Sequence, residues 1–411
     1  PRPRGRITAL RGHRRTGTSP NFDIVASHFT HRQRSSPVPN LFDPLTLGPV
    51  TLPNRVVVAP MCQYSADDGS ATDWHLQHLM QLALGRAALI MVEATGVERQ
   101  GRITHGCLGL YTDANETALA HVLKAAKGVA TPDTKFGIQI GHAGRKASAQ
   151  RPWEGGRALG PDKDPWQTSA PSAIPFAPDW HTPEPLDAAG LERVKAAFVQ
   201  AAERAVRIGF DAIELHIAHG YLLHQFTSPL SNTRTDAYGG SLENRMRFPL
   251  EVAQAVRAVV PKSVMLGARI TGSDWVEGGW TPDDAVAFAK GLKANSFDYV
   301  CVTSGGIVAT AKIPLGPNYQ VPFAAKVRAE AGIATRAVGL IVEPAQAEAI
   351  VSSGQADCVA LARGILDDPR WVWHAADRLG ATITYPPQYD RVRRTTWPGA
   401  AMVRPGNPTV R

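Results

Sequence analysis

Cysteine is scarce and scattered in this chain. The four residues, Cys62, Cys107, Cys301 and Cys358, include no Cys-x-x-Cys pair, which excludes a local iron–sulfur or zinc-ribbon cassette and fits a reducing compartment. Cys301 and Cys358 stand in apolar runs and read as inert core residues. No stretch reaches 18 consecutive apolar residues, so no membrane span is expected. No Gly-x-Gly-x-x-Gly turn follows the first strand candidate, which leaves an open dinucleotide-binding sheet with little support.

Acid is nearly absent from the first 40 residues. They carry eight arginines and one carboxylate, Asp23, for a net +7, so the formal +8 of the chain leaves only +1 for everything after them. The body is close to neutral, and no nucleic-acid partner is expected. Residues 1–40 also lack a long apolar stripe and read as a basic, disordered extension. They have no secretory apolar core. A cytoplasmic protein is expected, with an organelle as the alternative if residues 1–40 are a transit peptide.

From residue 41 short apolar runs alternate with longer amphipathic segments, the pattern of repeated β–α units around a parallel sheet. Strands are expected at 55–60, 88–93, 136–140, 212–216, 264–269, 299–303, 336–340 and 358–362. Helices are expected at 74–84, 114–127, 188–208, 242–259, 282–294, 323–331 and 344–353. Eight buried strands favour a closed α/β barrel, a (β/α)8 TIM barrel, because closure leaves no edge unpaired. Residues 147–187, after the third strand, carry Trp153, Trp166 and Trp180 among many Pro and Gly. A connection this long reads as a lid over the site, with a peripheral surface insertion as the alternative.

In such barrels the chemistry sits at the carboxyl ends of the strands. The fourth strand ends in His216-Ile-Ala-His219-Gly220-Tyr221. Residues three apart on a strand face opposite ways, so the two imidazoles converge only if the chain leaves the extended conformation soon after His216. Two imidazoles beside a phenol can grip an oxygen and deliver a proton. His-x-x-His could also be half of a metal site, with His142 or Glu214 as a third ligand, but Arg145, Lys146 and Arg269 would repel a dication and welcome an anion. Gly339 after the seventh strand and Arg363-Gly364 after the eighth suit a phosphate, which implies a phosphate-bearing cofactor.

Several motifs are specific when taken together: Leu-Phe-Asp-Pro-Leu, Asn54-Arg55, Gly101-Arg102-Ile103, His142-Ala-Gly-Arg-Lys146, Ala170-Pro-Ser-Ala173, His216-x-x-His-Gly-Tyr221, Ser228-Pro-Leu-Ser-Asn232, Arg234-Thr-Asp-x-Tyr-Gly-Gly-Ser241 and Glu243-Asn-Arg245. Across residues 41–391 the chain resembles the Old Yellow Enzyme family of flavin-dependent ene-reductases. Cys62-x-Tyr64, the His/His pair and Arg-Pro-Trp-Glu-Gly point to its thermophilic-like and xenobiotic reductase branch.

The resemblance implies noncovalent FMN, reduced by NADPH or NADH. Pro60, Met61, Cys62, Ala94 and Gln139 would contact the isoalloxazine, with Cys62 tuning its potential, and Arg269 would face its N1/C2 side. Ser304, Gly305, Gly339, Arg363 and Gly364 would hold the ribityl and phosphate groups. His216 and His219 would bind the carbonyl or nitro oxygen of an activated alkene, and Tyr221 would donate the proton. Tyr64 and Lys146 would border the substrate. Arg391 would reach a neighbouring subunit's site, implying a homodimer or homotetramer; Arg393 is the alternative, because residues 392–411 form a tail outside the family pattern. Reductive denitration of nitrate esters, reduction of nitro compounds or double-bond isomerisation are related alternatives. Larger relatives acting on dienoyl thioesters or amines carry a cysteine-ligated cluster, which the cysteine spacing here excludes. A metal-dependent barrel hydrolase using His216, His219 and His142 is the alternative from another class.

Overall fold

The structure, a computed structural model, describes residues 40–403. The expectation of a disordered extension or transit peptide at 1–40 falls outside the described residues except at Asn40, as do the last eight residues of the tail expected at 392–411. Eight strands close into a parallel barrel: β1 (Val56–Val58), β2 (Leu89–Gly96), β3 (Lys135–Gly141), β4 (Ala212–Ile217), β5 (Met265–Thr271), β6 (Tyr299–Thr303), β7 (Ala334–Ala337) and β8 (Cys358–Leu361). Each pairs with its successor in sequence, and β8 returns to β1 through the register Val359 with Val56 to Leu361 with Val58.

The period of two sorts the strand side chains into two cores. Val57, Leu89, Met91, Ala212, Met265, Tyr299, Cys301 and Cys358 fill the barrel interior, where the antiparallel hairpin Leu45–Leu47/Val50–Leu52 adds Leu47, Val50 and Leu52. Their alternating neighbours, such as Val56, Val58, Ile90 and Ile138, face the surrounding helices. Those helices are α1 (Asp73–Ala83), α2 (Asp113–Val129), α3 (Ala188–Ile208), α4 (Leu222–Thr227), α5 (Leu242–Val259), α6 (Pro282–Ala294), α7 (Val321–Ala331), α8 (Pro344–Ser352), α9 (Arg363–Asp367) and α10 (Trp371–Leu379). The longest, α3, shows why ends fall where they do. Asp187 accepts from the Gly190 N–H at 2.7 Å, and Gly209 closes the helix at φ +92°.

Strand bounds depart from the sequence-based ones in two informative places. β5 runs to Thr271, so Arg269 lies inside the strand, opposite His216, rather than at its end. β7 stops at Ala337, leaving Gly339 and Leu340 in the loop with positive φ. Within β2 the register skips at Glu93, between Val92 and Ala94. This bulge lets Glu93 meet His75 of α1 at 3.3 Å while Ala94 pairs with Gln139.

One charged group lies at the centre of the barrel. The fully buried Glu214 carboxylate accepts from the Gln139 amide at 2.8 Å, from the Tyr299 hydroxyl at 2.9 Å and from the Arg336 guanidinium, which stacks 4.9 Å from the Tyr299 ring. Burial alone would lower the Arg336 pKa, but Glu214 outweighs it and the guanidinium stays charged. Removing one partner leaves the other as an uncompensated buried ion. Arg336→Met should therefore cost about 3–5 kcal/mol of stability in urea unfolding, and the double variant Glu214→Leu/Arg336→Met should regain most of that loss. Additive losses in the double variant would contradict the pairing.

Candidate active site

β4 ends at Ile217, and His219 and Gly220 then adopt φ of +57° and +72°. This left-handed step turns His219 back toward His216, so their rings lie 5.1 Å apart and His219 Nδ1 is 3.4 Å from His216 Nε2. The Tyr221 ring stands edge-on to His216 at 4.9 Å. Burial, then the Arg269 charge, holds both imidazoles well below their ordinary pKa, so both are neutral at pH 7. Burial pushes the Tyr221 phenol up, so it keeps its proton.

The turn is pinned from several sides. A Cβ on Gly220 would lie 2.1 Å from the Gly306 carbonyl, and one on Gly306 would lie 2.6 Å from the His219 carbonyl, so only glycines permit this approach of the β4 and β6 loops. Lys146 Nζ donates to both of those carbonyls, at 2.8 Å to His219 and 2.9 Å to Gly306, under the rings of Phe176 and Tyr221. Beneath the turn, the Gly220 N–H donates to His224 Nδ1 at 2.8 Å, which leaves His224 Nε2–H for Asp274 at 3.0 Å. Burial would raise the Asp274 pKa, yet His224 and the Ser228 hydroxyl hold it below the usual range.

The segment after β1 is held by the bulged Glu93, whose carboxylate accepts from the Gln63 N–H at 2.9 Å. Tyr64 sits at φ +52°, with its carbonyl bonded to Arg151 of the 147–187 connection at 3.1 Å and its ring 5.8 Å from Trp153. Arg145 donates to the carbonyls of Ile174 and Ile307. The long connection is thus tied down beside Tyr64 and over Lys146, as a lid requires.

On the β6–β8 side a cleft of about 480 Å³ is lined by His219, Arg269, Thr303, Ser304, Gly339, Arg363 and Gly364, among others. Arg269 Nε is buried there without a protein partner. Gly339, at φ +116°, brings bare backbone to the cleft, and a side chain at Gly364 would meet nothing nearer than 3.9 Å. Two guanidinium groups and this exposed backbone suit an anionic ligand.

The predicted residues fall into three groups. His216, His219 and Tyr221 converge, and Arg269, Ser304, Gly339, Arg363 and Gly364 share the cleft. Pro60, Met61 and Cys62 follow β1, Gly305 follows β6 at φ +74°, and Ala94 borders a small cavity with His216 and Tyr221. Gln139 commits its amide nitrogen to Glu214 inside the barrel. Arg391 is exposed on the turn Pro387–Val392, while Arg393 bonds Asp390 at 2.5 Å and stacks on Tyr385.

Two expectations need correction. Arg145 and Lys146 spend their donors on backbone carbonyls, so they are lid and turn pins rather than part of the anion site. The three-histidine metal set is not assembled either: His142 Nε2 bonds Glu98 at 2.9 Å, and Glu214 points into the barrel. Sequence reasoning missed Thr303, which is 2.9 Å from His219 Nε2, and Gln320, which bonds Thr303 and Ser304. It also missed the His224–Asp274 pair, although His224 stands only three residues after Tyr221.

A closed barrel with paired neutral imidazoles, a protonated phenol and an adjoining cationic cleft defines an enzyme that works with an anionic cofactor. The sequence pattern of the NADH:flavin oxidoreductase / NADH oxidase family matches residues 40–381, and the chain belongs to that family, the Old Yellow Enzyme family. It is 44% identical over 353 residues to an NADPH dehydrogenase of Geobacillus sp. (strain WCH70), covering 85% of this chain and 98% of that protein. Among solved structures it resembles morphinone reductase at 29% identity with a TM-score of 0.69, covering 85% and 92% of the two chains. The fold also matches a 2-naphthoyl-CoA reductase complex at 24% identity with a TM-score of 0.73, over 83% of this chain and 52% of that one. The protein is an NAD(P)H-dependent flavin oxidoreductase that uses FMN. The orphaned Arg269 Nε and the bare backbone at Gly339 and Gly364 fit that group.

Burial, then the neighbouring Arg145 charge, brings Lys146 down from 10.5 to about 7. Its burial penalty is therefore complete below pH 7. Between pH 7 and 10.5 the folded state sheds this proton before the unfolded chain does, so the unfolded state binds more protons and stability rises with pH. Melting temperatures of wild type relative to Lys146→Met should shift in favour of wild type from pH 7 to pH 10. A constant difference would mean that Lys146 keeps its ordinary pKa.

Proposed function

We propose that the protein is an ene-reductase, reducing the activated C=C bond of α,β-unsaturated ketones, aldehydes, imides or nitroalkenes in a ping-pong cycle with NADPH or NADH. The observation that carries this reading is the convergence of His216, His219 and Tyr221 beside the cationic cleft. FMN bound there supplies a hydride from N5. Pro60, Met61, Cys62, Ala94 and Gln139 would hold its ring system, and Arg269 the N1/C2 edge, where a fixed cation favours the reduced anion. Ser304, Gly305, Gly339, Arg363 and Gly364 would hold the ribityl and phosphate groups.

His216 and His219 bind the carbonyl or nitro oxygen. As neutral donors they stabilise charge that develops on that oxygen when the β carbon is reduced. Tyr221 gives the α carbon its proton from the opposite face, a role that suits a phenol held in its protonated form. Tyr64 and Lys146 border the substrate, and Cys62, whose thiol burial keeps protonated, tunes the cofactor's potential. Arg391 reaches into the site of a second copy in a homodimer or homotetramer, an arrangement that sedimentation velocity would test. Nitro compounds and nitrate esters would use the same oxygen clamp.

The protein as purified should be yellow, with flavin absorption bands that bleach anaerobically on addition of NADPH or NADH and return with 2-cyclohexenone. A colourless protein that fails to take up added FMN would end this reading. Tyr221→Phe should leave reduction by the nicotinamide within about twofold while slowing reoxidation by the enone at least about 100-fold, the usual worth of a general acid. Equal losses in both half-reactions would contradict the assignment. His216→Ala should weaken binding of phenols by about tenfold, the loss of one buried hydrogen bond of about 1.4 kcal/mol.

A further inference from the structure

The hydrogen bonds around the histidine pair restrict which nitrogen carries each proton. The Thr303 hydroxyl has one proton and gives it to Gln320 Oε1 at 3.0 Å, an oxygen that also accepts from Ser304 at 2.7 Å. Thr303 can then only accept from His219, so its 2.9 Å contact requires His219 Nε2–H. A neutral ring has one N–H, so His219 Nδ1 is a lone pair. It faces His216 Nε2 at 3.4 Å, which must be the N–H of that pair. His216 Nδ1 is buried with no partner, as suits the nitrogen left bare.

In this state the pair spends one N–H on itself and the other on Thr303. A carbonyl or phenolate oxygen, which only accepts, needs an N–H on both nitrogens if His216 Nε2 and His219 Nδ1 are to hold it jointly, so His219 must carry its proton on the other nitrogen. We propose that Gln320, acting through Thr303, is a positioning residue that switches His219 from the Nε2–H to the Nδ1–H form when an oxygen ligand enters. Turning the Gln320 amide presents Nε2–H groups to Thr303 and Ser304. The Thr303 hydroxyl then rotates toward His219 Nε2 and donates to it, leaving Nδ1–H for the ligand. His219 carries one proton before and after. One leaves Nε2 and one joins Nδ1, exchanged with water beside the pair, where a small cavity borders His216 and Tyr221, and no net proton is taken up. Without a ligand, two N–H groups facing each other at 3.4 Å would repel, which holds the relay in its resting sense.

This inference rests on the oxygen-clamp reading of the pair, and the test separates the two. The FMN-loaded enzyme, labelled with 15N-histidine, is compared by long-range 1H–15N correlation without and with 4-chlorophenol at a pH above the phenol's own pKa, where the ligand is the acceptor-only phenolate. His219 should show an unprotonated Nδ1 alone and a protonated Nδ1 with the phenol. In Gln320→Leu the Thr303 hydroxyl loses its acceptor and is free to donate to His219 Nε2, so Nδ1 should become protonated at a lower phenol concentration, and the phenol should bind at least as tightly as to wild type. A purely structural role for Gln320 predicts the reverse: about fivefold weaker binding, the worth of one hydrogen bond, with the tautomer unmoved. Phenol binding with the proton still on Nε2 overturns the relay alone. Phenol binding unaffected by His216→Ala overturns the clamp, and the relay with it.

Discussion

The left-handed step at His219 and Gly220 is the constraint on which the site depends. A non-glycine residue at φ +57° is costly, and it persists only where its surroundings over-determine it. Here they do so through three contacts that bear no resemblance to one another. Gly306 permits the loops to close, Lys146 ties the two carbonyls that this closure brings together, and His224 takes the Gly220 N–H from below. Loss of the step would return His219 to the opposite face of β4 and separate the imidazoles.

Charge is used in two distinct ways near this turn. Arg145, Lys146, Arg336 and Asp274 each hold a carbonyl, a carboxylate or a donor of the chain itself, so their effect is geometric. Arg269 and Arg363 instead line the cleft, and neither side chain makes a hydrogen bond or ion pair with a described residue. The distinction matters because a buried cation is expensive unless satisfied. One without any partner in the chain, beside bare backbone, marks where a ligand anion belongs, whereas one already held by a carboxylate or carbonyls does not.

The barrel was legible because its evidence is periodic. Eight apolar runs separated by helical patterns have few topologies open to them, and the expected strands differ from the observed ones mainly at their ends. Arg269 shows the limit: an arginine reads as the end of a buried strand, yet β5 continues past it because the cleft receives its side chain. Of the site, the strand-end cluster His216/His219/Tyr221 was legible from spacing, and the family motifs pointed to the residues proposed to hold the cofactor. Gln320 was not, since it is sixteen residues beyond Ser304 and enters the site only because the β6 loop returns to start α7. Lys146 misled for a related reason. Its charge is plain in the sequence, but the carbonyls that consume it come from β4 and β6 loops whose approach depends on two glycines.

Neutrality of the histidine pair links these features to chemistry. Burial depresses both imidazoles, and the nearby Arg269 charge depresses them further. An imidazolium in this position would hand its proton to an oxygen that gains charge, and the proton would then sit on oxygen rather than carbon. A neutral N–H stabilises the same charge but is too weak an acid to surrender the proton, which leaves the α carbon to be protonated by another group. Tyr221 is that group under the proposed function, held in its acid form by the same burial that keeps the imidazoles neutral. One desolvated pocket therefore sets both roles, because removing water raises the pKa of an acid that is neutral when protonated and lowers that of a base that is charged when protonated.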